Sequence, residues 1–159
     1  MNIDSTIEDL EAQAYFASQV TRSNDKFSLI VEVELQQTEY ETKRLSMALI
    51  GLDFVAGFLE AHSQTSTSWL LIPNNSISSI TLSRGSLEES LVELSASAFI
   101  ESKLRGASIS IKQAGRVKTS HGKLANMLGN QLVLKSAGVQ LLPLESIEWL
   151  AVDSLCRDN

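Results

Sequence analysis

Leu71-Ile72-Pro73-Asn74-Asn75-Ser76-Ile77-Ser78-Ser79-Ile80 and Leu141-Leu142-Pro143-Leu144-Glu145-Ser146-Ile147-Glu148-Trp149-Leu150 align without a gap at an offset of 70 residues. Pro, Ser and Ile recur at the same places, and the apolar positions coincide. Upstream, Leu49-Ile50-Gly51-Leu52-Asp53-Phe54-Val55 lies over Met127-Leu128-Gly129-Asn130-Gln131-Leu132-Val133 at an offset of 78, so the first copy has a connection eight residues longer. In physical terms, Gly51 and Gly129 are expected to serve a tight turn between two strands. Pro73 and Pro143 mark where one strand ends and the chain bends into the next, which opens with Ser76-Ile77 or Ser146-Ile147.

The surrounding pattern has the order helix, strands, helix, strands, which fits a duplication. Ser5 with Glu8 reads as a capping box opening a helix that runs to about Val20. Phe27, Leu29, Val31, Val33 and Leu35 then alternate with Ser28, Ile30, Glu32, Glu34 and Gln36, as in a strand with one solvated face. Leu45, Met47 and Leu49 repeat the alternation. Phe54–Leu59 and Trp69–Ile72 are further apolar strands, separated by a polar loop at His62–Ser68. Ser86 with Glu89 is a second capping box, and Leu87, Leu91, Leu94 and Ala98 give a helical face that Ile100 and Leu104 extend and the serines at 95 and 97 interrupt. Strands are predicted at Ala107–Lys112, Arg116–Leu128 with a kink or bulge at Gly122, Gln131–Lys135, Val139–Leu144 and Ser146–Val152. The expected division is 1–84 and 85–159, each a helix followed by one antiparallel β unit.

This layout resembles the Sm-like barrel family, in which a helix precedes three strands ending in a glycine turn and two more joined by a very short turn. Its second motif, apolar-Arg-Gly-x-Asn-Ile, is matched in framework by Ile72-Pro73-Asn74-Asn75-Ser76-Ile77 and Leu142-Pro143-Leu144-Glu145-Ser146-Ile147. The Arg-Gly that helps grip RNA is replaced in both copies, and Val55 and Val133 stand where the first motif places its base-binding Asn. With its acidic N-terminal segment Asp9-Leu10-Glu11-Ala12-Gln13, the chain also resembles a group of actinobacterial proteins without a settled activity. The resemblance implies a mainly β fold, a tandem of small Sm-like or SH3-like barrels, and association through open strand edges.

Charge is segregated along the chain. Residues 1–101 carry five Lys/Arg against fifteen Asp/Glu, residues 102–144 carry seven Lys/Arg and no acid, and residues 145–159 carry one Arg against four acids. Arg105, Lys112, Arg116, Lys118 and Lys123 in the basic stretch form a candidate anion- or nucleic-acid-binding surface, with Arg116, Lys118 and Ser120 on one strand face. An ordinary solvated sheet face is the alternative. No Phe, Tyr or Trp lies between Phe99 and Trp149, which removes base stacking from that stretch.

Enzyme signatures are missing. Gly115 to Gly122-Lys123 has six residues between the glycines where a phosphate loop has four, and Leu124 follows in place of Ser or Thr. Two histidines, His62 and His121, and the single Cys156 do not make a zinc set or an internal disulfide. The apolar runs are too short to span a bilayer. These readings point to a cytoplasmic, non-enzymatic protein without cofactor or metal. It is expected to act by binding protein partners or itself, with RNA binding through the basic face as the alternative.

Overall fold

The computed structural model describes residues 29–36, 42–59, 69–85 and 87–152. The expected N-terminal helix, the polar stretch with His62, and Cys156 lie outside them. Ten strands and one α-helix follow in the order β1 Ile30–Leu35, β2 Thr42–Ile50, β3 Phe54–Leu59, β4 Trp69–Pro73, β5 Ile77–Arg84, α1 Ala96–Lys103, β6 Ser108–Gln113, β7 Thr119–Leu128, β8 Gln131–Lys135, β9 Val139–Pro143 and β10 Ile147–Val152. The protein is mainly β. All ten strands form one antiparallel sheet in the order β5-β1-β2-β3-β4-β10-β6-β7-β8-β9. No helix among the described residues is long and apolar enough to cross a membrane.

The two sets of five strands pair in the same order, and their registers coincide. Val33 faces Ile80, and Ile111 faces Leu150. Between β1 and β5 the ladder skips Ser78, and between β6 and β10 it skips Glu148, so even the irregularity recurs at the 70-residue offset. Both Pro-x-x-Ser-Ile segments occupy a strand end, a three-residue 3-10 turn and a strand start. Pro73 and Pro143 are extended at φ −66° and −62°, and Ile77 and Ile147 reopen the strand at φ −102° and −92°. Each corner is tied by the same main-chain bonds. Asn74 N donates to Asp53 O at 2.9 Å and Leu144 N to Asn130 O at 2.7 Å, while Gln36 N donates to Ser76 O and Ala114 N to Ser146 O, each at 2.9 Å.

The overlay of Gly51 on Gly129 needs a correction of one residue. Phe54 pairs with Pro73 and Gln131 with Pro143, so Phe54 corresponds to Gln131 and the offset there is 77. By the same register Val55 corresponds to Leu132 rather than Val133. The two glycines therefore serve different needs. Gly129, at φ 61°, opens the two-residue turn between the paired Leu128 and Gln131, where a side chain is strained. Gly51 stands just before the turn of Leu52 and Asp53, its N–H donating to Phe54 O at 2.8 Å. A Cβ at Gly51 would overlap the Phe54 ring, so that position is a matter of space.

Three local expectations also change. The second helix starts at Ala96, not near Ser86. Ser95 is its N-cap, its side chain accepting from Ala98 N at 3.1 Å. Before it, Glu88–Ser90 make only a 3-10 turn, and the chain then runs along the end of β2, with Val92 N donating to Ile50 O at 2.8 Å and Leu52 N to Leu94 O at 2.9 Å. Strand β7 begins at Thr119, because Ala114 and Gly115 (φ 81°) turn the chain and leave Arg116 and Lys118 in the connection. The bulge expected at Gly122 lies between Leu124 and Asn126; a matching one in β2, between Ser46 and Leu49, contains Met47 at φ 49° and disturbs the alternation read there.

Strands β3 and β4 sit mid-sheet and are apolar on both faces, which explains their continuous hydrophobic runs. Val55, Leu70 and Ile72 pack with Val31, Val33 and Leu35 of β1, whereas Phe54, Ala56, Trp69 and Leu71 pack with α1 and the strands β6 to β10. Phe99 of α1 lies between the rings of Phe54 (centroids 5.2 Å, 48°) and Trp69 (5.7 Å, 11°), and all three are essentially inaccessible to water. Deleting the Phe99 ring removes that contact and opens a cavity between both halves. Phe99→Ala is expected to lower unfolding free energy by about 3–5 kcal/mol, read as a lower urea midpoint; a loss under about 1 kcal/mol would mean the wedge is not needed.

Candidate functional site

The two corners are brought together where β4 meets β10. Leu71, Leu70 and Trp69 pair with Leu150, Ala151 and Val152. Ser76 Oγ donates to Ile147 O and Asn75 Nδ2 to Glu145 O, both at 2.8 Å. The framework serine is used differently in the second corner, where Ser146 Oγ donates to Pro143 O at 2.8 Å and accepts from Gln113 Nε2 at 3.0 Å. Beside the junction is an open pocket of about 300 Å³ whose polar lining comes from Asp53, Asn74, Asn75, Asn130 and Glu145. Asp53 Oδ1 also accepts the main-chain N–H of Ala96, at the start of α1, at 2.6 Å. Among the described residues its polar lining is two carboxylates and three amides, with no cation to oppose a phosphate.

The five basic residues separate into three environments. Lys112 Nζ is 3.1 Å from Glu148 Oε1, and that carboxylate is only 2% exposed, so the lysine neutralises a buried charge. Arg116 and Lys118 are exposed in the β6–β7 connection. Arg105 and Lys123 line a shallow cleft of about 420 Å³ together with Lys135, Gly106, Leu124 and Ala125. Lys118 and Lys123 are five residues apart along the chain, about 17 Å in extended backbone, so the connection and the cleft are separate places. Lys135 was not among the residues singled out from the sequence. Its signal is available only once β7 and β8 are in register, because it then stands directly opposite Lys123.

His121 lies exposed in β7, with Nδ1 at 2.8 Å from Ser110 Oγ and Nε2 at 2.9 Å from Thr119 Oγ1. A serine–histidine contact alone does not make a nucleophile. The ring nitrogen that a carboxylate would orient in a triad is the one bonded to Ser110, and the other nitrogen meets a threonine. Among the described residues, no group of three His, Cys, Asp or Glu side chains is placed to hold a metal ion.

The different roles of the basic residues are measurable. Lys112→Met removes a cation that bonds to the buried Glu148 carboxylate and is expected to cost about 2 kcal/mol in urea unfolding. Arg116→Gln with Lys118→Gln should stay within about 0.5 kcal/mol of the parent. Equal costs for the two variants would refute the assignment of Lys112 to an internal role. No family model and no curated protein matches this chain.

Proposed function

We propose that the chain is a tandem of two Sm-like units acting as a non-enzymatic interaction protein, and that its partner is a further copy of itself joined head to tail. The observation that carries this reading is that, among the described residues, β5 and β9 are the two edge strands of the sheet. At the 70-residue offset, β5 corresponds to β10 and β9 to β4, and β10 and β4 are the two strands that join inside the chain. The free edges are therefore complementary to each other by the same rule that closes the internal junction. Carrying that junction over puts Ile80, Thr81 and Leu82 of one copy against Leu141, Gln140 and Val139 of the next.

The side chains support the same pairing. Leu82, Val139 and Leu141 are 43%, 63% and 52% exposed, although large apolar residues on an open edge invite association. Such an interface is heterologous, since the two surfaces differ, and it propagates until a ring closes or a filament forms. RNA binding by all five basic residues is the weaker reading, since Lys112 is engaged with Glu148.

Sedimentation of two edge variants tests the proposal. Leu82→Lys blocks the β5 edge and Leu141→Lys the β9 edge, while the parent chain is expected to sediment as an oligomer. Each variant alone should be a monomer, and an equal mixture should give a dimer and nothing larger, because one good edge of each kind remains. A monomeric parent chain would overturn the proposal. Oligomers of either variant alone would show that copies pair like edge to like edge or through another surface.

A further inference from the structure

We propose that the cleft between Arg105, Lys123 and Lys135 is a binding site for a phosphate group. Lys123 and Lys135 are directly opposed across β7 and β8, an arrangement in which like charges repel and which an anion beside them would relieve. Among the described residues, no carboxylate pairs with either lysine or with Arg105. Arg105 is held at the cleft by Nε donating to Ala125 O at 3.4 Å, which leaves the far end of its guanidinium for a ligand.

The other half of the molecule is an internal control. The register that matches Phe54 with Gln131 also matches the cross-strand pair Ser46–Phe58 with Lys123–Lys135. There Ser46 Oγ donates to Phe58 O at 3.4 Å and no charge is present. The strand pairing thus has no need of two lysines, and the second half carries them in addition. The neighbouring residue brings the strands close: a Cβ at Gly122 would lie 2.5 Å from Lys135 O. Leu124 and Ala125 supply an uncharged floor. Three cations around one open cleft suit anionic phosphate oxygens, whether of one multiply charged phosphate or of neighbouring singly charged phosphodiesters. That chemistry belongs equally to a free phosphorylated compound and to the backbone of a nucleic acid.

The test uses the full chain with inorganic pyrophosphate and, separately, a short single-stranded RNA, titrated while thermal unfolding and amide chemical shifts are followed. At least one probe is expected to raise the melting temperature and shift the amides of Gly106, Leu124 and Ala125. Its affinity should fall roughly tenfold between about 50 and 200 mM salt. Lys123→Gln with Lys135→Gln should abolish the response, with a melting temperature without ligand no lower than the parent's because the repulsion is gone. Arg116→Gln with Lys118→Gln should leave it intact. Response to pyrophosphate alone identifies a free phosphorylated compound as the source; tighter, variant-sensitive binding of the RNA identifies a backbone phosphate. No response to either probe, or a response that survives in the double lysine variant, overturns the site.

Discussion

A main-chain ladder three pairs long, between β4 and β10, turns two five-stranded units into one sheet. Trp69, Leu70 and Leu71 on one side and Leu150, Ala151 and Val152 on the other are all buried. N–H and C=O groups so far from water must bond to protein, and an unmade bond there costs more than a made one gains. The junction is thus obligatory once the side chains on either face have packed. Those faces belong to different cores, which is why β3 and β4 carry no polar positions, and α1 packs into the core that holds Trp69 and Leu71. Lys43 of β2 reaches across as well, 5.7 Å from the ring centroid of Trp149 in β10, adding a cation–π contact between halves.

The fold was readable where a residue type has one mechanical use. Proline ends a strand and cannot donate to the ladder, so Pro73 and Pro143 located both corners and, through them, the equivalence of β4–β5 with β9–β10. The central strands were readable from apolar runs alone. Reading failed where two local signals competed. Ser86 with Glu89 has a capping-box spacing, yet the main chain of residues 92 and 94 bonds to the end of β2, and that tertiary pairing overrides the helical pattern. Gly51 and Gly129 looked interchangeable because a sequence does not distinguish a glycine needed for its φ from one needed for its missing Cβ.

The candidate site was less legible, for a related reason. A stretch of seven cations and no acid reads as one surface, but strand geometry distributes it. Lys112 bonds to the buried carboxylate of a bulged residue, Glu148, and no local pattern links positions 36 residues apart. Lys135 gains meaning only from its cross-strand neighbour. By contrast, the exposed pair Arg44–Glu32 at 2.7 Å, each side chain 42% accessible, is of the kind that contributes little to stability. Charge in this molecule is informative where it is buried or where it is opposed by its own sign, and much less so where it is merely paired at the surface.

The internal junction also gives the molecule a polarity. One edge of each type is consumed in linking the halves, and what remains is one of each type, so the protein has a leading and a trailing end as a bar magnet has. In the assembly proposed above, a closed circle of such pieces would count an even number of five-stranded units, since each chain brings two. Around that circle the two unlike halves alternate, and any chemistry confined to one of them returns at every second station.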